Sequence, residues 1–459
     1  MRWTWVIVVF LFAGACSDPT PEAGVAATTT ATTTTTSGPA PTAVVPLPPG
    51  ADAAIERAID DVVAMIGEST NPVDPAVFDE IAGYDDIRLG WILADMGQFV
   101  FRGESFDALL RAANRLSGGD YTNRTVWKGL SDQLITEDIA APPGYEQWKR
   151  ELLSAVDVTW IHFFDDPEAE IDWRLVTFGG VLADTRPLGS EASCACIPGL
   201  DDPPSVAAAD GDWYPDRRVV FGVEINGESR AYPLNIMEAH EMANDELGGR
   251  RIALTYCTLC RSAVAFYVDD LPTDITPPVL RTSGLLRRSN KLVFDRESLS
   301  LIDQFTGEAL SGPLREADVQ LDRVTVVTST WAKWRAAHPE TTLMAGKDGN
   351  GPNYPLDPLG ERDAGGPIFP IGEVDTTLFA SQAVVGTILD DGSALAFPLD
   401  AALDALDQGE PVSLGGVSVI ADGSGVRLVN DNGGTELTSS QAAWFAWSQR
   451  FPDTQLWSP

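Results

Sequence analysis

Two thiols stand three positions apart in Tyr256-Cys257-Thr258-Leu259-Cys260, and a histidine lies upstream in Asn235-Ile236-Met237-Glu238-Ala239-His240-Glu241. A tight turn can point both sulfurs of such a pair inward, and an imidazole can supply a third ligand. Sulfur and nitrogen donors suit zinc or copper(I) rather than magnesium or calcium. Cys257, Cys260 and His240 are therefore candidate metal ligands. Glu241 stands behind them as a supporting or proton-handling carboxylate, and Cys194 and Cys196 are two further candidate ligands. Three other chemistries compete for these residues. A redox dithiol of the thioredoxin type has its CxxC opening a helix, whereas Ala263-Val264-Ala265-Phe266-Tyr267-Val268 favours a strand, so a strand–turn–strand knuckle is expected. Oxidising surroundings would allow two disulfides among four thiols, in any of three connectivities. Last, Cys257 could be a nucleophile with His240 as its base.

A second polar cluster runs from Thr282 to Asn290 and on through Asp295-Arg296-Glu297. Ser283, Arg287, Ser289, Asp295 and Arg296 could bind an anionic ligand. The competing reading is a hairpin turn whose charges face water. His162, inside Trp160-Ile161-His162-Phe163-Phe164, reads as a hydrogen-bonded core histidine, and His338 reads as an aromatic packing residue.

These residues need a scaffold, and the pattern predicts an α+β chain: an all-helical segment, then a mainly β region with an internal duplication. Over 51–185 the helical pattern leads. Ile55, Ala58, Ile59, Val62 and Ile66 share one face at 3.6 periodicity, and so do Leu89, Ile92, Leu93, Met96 and Val100. Over 186–459 short β-rich runs alternate with turn residues, and Asn226-Gly227 marks a hairpin. Within this region Ala231-Tyr232-Pro233-Leu234-Asn235 returns as Ala396-Phe397-Pro398-Leu399-Asp400. Leu247-Gly248-Gly249 returns as Leu414-Gly415-Gly416. Trp331, Trp334, Pro339, Thr341 and Leu343 return as Trp444, Trp447, Pro452, Thr454 and Leu456. The repeat copies are about 218–344 and 383–457. Cys257, Cys260 and His240 have no counterparts in the second copy, so they are additions to a shared fold.

The N-terminus gives an address. Trp5 to Ala15 is an apolar run too short to span a bilayer, and small residues then lead into Cys16. That resembles a lipoprotein signal over 1–15 with Cys16 as the lipidated residue. The Thr- and Pro-rich 16–50 reads as an extended stalk. The expectation is an exported protein, lipid-anchored to the outer face of the cytoplasmic membrane or the cell envelope. With 31 Lys+Arg against 67 Asp+Glu the net charge is -36, which repels polyanions, so no nucleic-acid partner is expected.

A longer series carries a family resemblance. It comprises Ile197-Pro198-Gly199-Leu200-Asp201-Asp202-Pro203, Ala231-Tyr232-Pro233-Leu234, His240-Glu241, Asn244-Asp245-Glu246 and the Cys-x-x-Cys segment. Ser283-Gly284-Leu285-Leu286, Ser289 to Arg296, Gln304 and Thr306-Gly307-Glu308 complete it. Over about 190–457 the chain resembles the family called domain of unknown function 3179. The resemblance implies an exported or envelope-attached protein and a shared site built from the His-Glu, Cys-x-x-Cys and Ser-Gly…Asp-Arg segments. It implies no activity. Three functions stay open: a metal-binding envelope lipoprotein, a non-catalytic binding or structural module with disulfide-bonded cysteines, and an envelope thiol-disulfide enzyme.

Overall fold

The structure, a computed structural model, describes residues 45–67, 73–190, 192–360 and 367–459. The apolar N-terminal segment, Cys16 and nearly all of the Thr/Pro-rich stretch lie outside the described residues. Among the described residues, no helix is long and apolar enough to cross a membrane.

Among the described residues six α-helices come first: α1 Ala51–Gly67, α2 Pro75–Gly83, α3 Gly90–Met96, α4 Gly103–Ser117, α5 Val126–Thr136 and α6 Tyr145–Val156. Their ends follow local chemistry. Asp74 caps α2 by accepting the Ala76 N–H at 3.0 Å, with Pro75 in the first turn where no donor is missed. α4 stops at Gly118 in the left-handed conformation. The predicted faces are buried: Ile55, Ile59 and Val62 of α1 join Ile92, Leu93 and Met96 in one core. His162 departs from expectation. It lies in a 3-10 helix, Val158–Phe164, whose three-residue turn buries Trp160 and Phe163 and leaves His162 exposed beside Asp165, 3.3 Å away.

The strands follow. They are β1 Val176–Phe178, β2 Leu200–Asp201, β3 Ser205–Ala207, β4 Val219–Ile225 and β5 Glu228–Pro233. After helix α7, Leu234–His240, come β6 Met242–Leu247, β7 Arg250–Cys257, β8 Ser262–Tyr267, β9 Leu280–Arg287, β10 Asn290–Asp295 and β11 Leu301–Asp303. Next are α8 Gly312–Glu316, β12 Arg323–Val324, β13 Val327–Thr330, α9 Trp331–Ala337 and β14 Thr342–Met344. The last part holds β15 Ala383–Ile388, β16 Ala394–Pro398, α10 Leu399–Asp407, β17 Ser413–Leu414, β18 Val417–Asp422, β19 Gly425–Asn430, β20 Glu436–Leu437, β21 Ser439–Ala443, α11 Trp444–Arg450 and β22 Gln455–Leu456. β1 pairs with β9, so the stretch after residue 164 already belongs to a sheet rather than to the helical part.

The duplication is visible in the sheet orders. β13-β4-β5-β14 and β21-β15-β16-β22 have the same sequence of neighbours, each with a parallel final pair. β12-β8-β7-β6 and β20-β19-β18-β17 match in the same way. What the first copy has and the second lacks is the excursion between β8 and β12, which forms the sheet β1-β9-β10-β11. That sheet carries the helical part: Leu285, Leu292, Phe294 and Leu301 share a core with the helices. The copies also exchange contacts. The Ala443 N–H, just before α11, donates to Cys260 O in the β7–β8 turn, and the Thr330 N–H, just before α9, donates to Ser424 Oγ in the β18–β19 turn. Each hairpin tip thus docks on the other copy at the equivalent place.

Candidate thiol site

α7 ends on Glu241, whose backbone is left-handed at φ +55°. That reversal sends neighbouring side chains to different partners. His240 places Nδ1 2.6 Å from Pro198 O and Nε2 2.6 Å from the Tyr354 hydroxyl. A carbonyl oxygen only accepts, so Nδ1 carries the proton and Nε2 accepts from Tyr354. Both ring nitrogens are used. Burial, which disfavours the imidazolium, draws the His240 pKa from 6.5 down to about 4. Between those values the unfolded chain binds a proton that the folded chain refuses. Stability is therefore lost as the pH drops through that window, by about 3 kcal/mol in total at this site. Unfolding free energies at pH 7 and pH 4, compared between the wild type and His240→Gln, isolate this term. Equal pH dependence in the two proteins would contradict it.

Glu241 turns toward the cysteines. Its Oε1 accepts from Thr258 Oγ at 3.0 Å, and its Oε2 forms a buried ion pair with the Lys291 ammonium. Lys291 also donates to Tyr256 O at 2.9 Å. Cys257 and Cys260 close the β7–β8 hairpin as a strand–turn–strand knuckle, both unpaired and only 1% and 0% exposed. Both sulfurs face Ser289 O, at 3.7 and 3.2 Å, and the Cys260 N–H points at Cys257 Sγ from 3.4 Å. Their protonation differs. Burial pushes the Cys257 thiol up, but the Cys260 thiol, the Lys291 charge and the Cys260 N–H outweigh it, leaving Cys257 below the ordinary thiol value. Burial and the neighbouring Cys257 push Cys260 well above it. One sulfur is held toward thiolate and the other toward thiol.

His240 does not complete a metal site with these thiols. Among the described residues, the one set of three potential ligands within 4.8 Å of one another is Asp184, Cys194 and Cys196. That trio is a candidate metal-binding group, and its two sulfurs are joined as a disulfide. Asp184 is buried and already engaged: Arg186 bonds both its oxygens, at 2.6 and 2.9 Å, and the Gly199 N–H adds a bond at 2.9 Å. Coordination there needs the disulfide reduced and the carboxylate released. At Cys257 and Cys260 two sulfurs fall short of the four donors of a structural zinc site.

Residues 194–422 match the family described as Protein of unknown function (DUF3179). This segment is a DUF3179 domain. The match takes in the whole first copy and ends with β18 of the second. No curated protein and no solved structure matches the chain.

In the Ser-Gly…Asp-Arg segment of the DUF3179 domain the candidate side chains are engaged by the protein's own backbone and charges. Gly284 has φ +78°, and a Cβ there would stand 2.1 Å from Val181 O, so only glycine fits. Ser283 bonds backbone, donating to Leu292 O at 2.6 Å and accepting the Leu285 N–H. Asp295 accepts the N–H groups of Val279 and Ser298, fixing the turn into β11. Arg287 lies 3.8 Å from Asp303, and Arg296 pairs with exposed Glu297. Arg288 and Ser289, both at positive φ, make the two-residue β9–β10 turn. That turn faces protein rather than water: Arg288 donates to Ile371 O and Glu373 O, both at 2.9 Å, and Ser289 is buried. Of the five candidates, Ser289 alone reaches the thiols, through its carbonyl oxygen. Lys291 is a site residue that the sequence pattern does not single out. The available signal was a lysine opening the apolar run Leu292-Val293-Phe294.

His338 stacks on Trp334 with ring centroids 3.9 Å apart, in line with an aromatic packing role. It also lies 2.7 Å from Asp422 and 3.1 Å from Glu224, joining the two copies.

Proposed function

We propose that this chain is an exported, lipid-anchored protein whose DUF3179 domain carries a thiol–disulfide couple, Cys257 acting as the attacking thiolate and Cys260 as the resolving thiol. The observation that carries the reading is the unequal surroundings of two sulfurs outside any disulfide: the Cys260 N–H points at Cys257 Sγ and favours its thiolate, whereas burial and the neighbouring Cys257 hold Cys260 as the thiol. The anchor rests on the N-terminal pattern ending at Cys16. In the exchange, Cys257 thiolate attacks one sulfur of a disulfide and its other half leaves as thiolate. Cys260, losing its proton to the departing thiolate, then attacks Cys257 Sγ and releases the second half. Two thiols become one disulfide while one disulfide becomes two thiols.

Equilibrating the protein in glutathione buffers, with one refolding cycle so that burial cannot block access, tests this directly. Peptide mapping is expected to show Cys257–Cys260 passing reversibly between dithiol and disulfide. In Cys260→Ser, a glutathione adduct should accumulate on Cys257. A pair that stays reduced at every glutathione ratio would sink the reading.

A second reading, supported by the Asp184, Cys194 and Cys196 trio, is binding of a soft ion such as zinc or copper when that disulfide is reduced. Metal analysis of the same reduced samples decides it, because bound ion should disappear in Cys194→Ser and leave Cys257 and Cys260 titrating as before.

A further inference from the structure

We infer that helix α5 of the helical part clamps the segment Phe369–Glu373 over the Cys257–Cys260 pair, so that access to the thiols is controlled from outside the DUF3179 match. The inference rests on the thiol reading above for its purpose, though not for its geometry. Ile371 packs in the same apolar cluster as Cys257 and Cys260. Pro370 O lies 3.4 Å from Ser289 Oγ, in the turn whose carbonyl faces both sulfurs. From β-region residues the segment is held by Arg288, and by Gln449, which donates to Ile371 O at 2.7 Å and Glu373 O at 3.0 Å.

The remaining holds come from α5. Asp132 Oδ1 accepts two successive backbone N–H groups, Ile371 at 2.7 Å and Gly372 at 2.8 Å, while its Oδ2 is paired with Lys128 at 2.6 Å. One carboxylate receiving two N–H groups is a charge-assisted clasp on an otherwise irregular strand of chain. Trp127 packs against Phe369 with ring centroids 5.9 Å apart. Gly372 has φ +64°, and a Cβ there would stand 2.3 Å from Ile135 Cγ2, so helix and segment meet too closely for any side chain. Trp127, Asp132 and Ile135 of α5 thus press on Phe369, Ile371 and Gly372, and Ile371 shares its apolar cluster with the dithiol. A burial of this sort is opened by local release rather than by global unfolding.

The test uses the full chain and iodoacetamide as the probe. Alkylation of Cys257 and Cys260 in the folded protein is followed by peptide mass spectrometry, with amide exchange measured alongside. In Asp132→Ala the alkylation rate should rise about tenfold or more, with faster exchange confined to Phe369–Glu373. Gly372→Ala, which forces the segment off Ile135, should act in the same direction. An unchanged rate in both variants overturns the clamp, as does faster exchange spread through β7 and β8, which would mean general loosening. The two proposals fail separately. A pair that never forms a disulfide in glutathione removes the redox reading and leaves the clamp standing. A disulfide that forms normally while Asp132→Ala changes no rate removes the clamp alone.

Discussion

Lys291→Met is expected to destabilise the fold by about 3–5 kcal/mol, because it strands the buried Glu241 carboxylate without its counter-charge. The pair is only 6% exposed on each side, so solvent screening offers little relief. The same change removes the donor to Tyr256 O at 2.9 Å. The single substitution exaggerates what the pair itself contributes, since much of the loss is the cost of an orphaned charge. Lys291→Met with Glu241→Gln should therefore recover a large part of it, and Thr258 keeps an acceptor in glutamine. Urea unfolding of the two single variants and the double closes the cycle. A second readout separates chemistry from packing. Lys291 favours the Cys257 thiolate and Glu241 opposes it. Lys291→Met should move the ultraviolet thiolate titration to higher pH, whereas Glu241→Gln should move it lower. Shifts of the same sign, or none, would show that the ion pair holds the fold and does not tune the sulfur.

The contrast between Glu241 and Lys291 explains what could be read from the chain alone. Local features were legible: the Asn226-Gly227 hairpin, the knuckle carrying Cys257 and Cys260, and the helical faces of Ile55 and Ile92 follow from short-range backbone rules. The duplication was legible too, because Trp, Gly and Pro hold fixed places in both copies. Direction was harder. His240 and Glu241 are adjacent, and at the left-handed backbone of Glu241, unusual for a residue with a Cβ, the carboxylate rather than the imidazole turns to Thr258 and Lys291 beside the thiols. No periodicity signals that. Lys291 meets Glu241 across 50 positions, through a β9–β10 register that shifts at a bulge between Lys291 and Val293. Asp132 reaches Ile371 across 239 positions. Such pairings depend on how sheets and helices stack, which the local pattern does not encode. His162 is exposed rather than in the core for a related reason, since a 3-10 turn presents a different face from an α-helix.

Trp334→Ala and Trp447→Ala should each cost about 3–5 kcal/mol, as truncation of a buried tryptophan leaves a cavity. The two rings occupy equivalent places. Each is fully buried, and each indole N–H donates at 3.0 Å to a threonine seven residues on, Thr341 in one copy and Thr454 in the other. Each also lies on a glycine of the central strand: a Cβ at Gly222 would stand 2.3 Å from Trp334, and one at Gly386 2.2 Å from Trp447. Gly222→Ala alone should therefore destabilise by overpacking, about 1–3 kcal/mol, yet should be tolerated in the Trp334→Ala background, where the ring has gone. Denaturant unfolding of the four proteins gives that coupling, and additive losses would refute the close approach. The copies should differ in one respect. Trp447 lies with Phe305, Cys257 and Cys260 in a single apolar cluster, whereas Trp334 packs with Tyr214, Val220 and Leu343. Trp447→Ala should thus speed alkylation of Cys257 and Cys260 well beyond what Trp334→Ala does at matched stability. Equal acceleration would mean that the thiols react only through global unfolding, and that the second copy has no special part in shielding them.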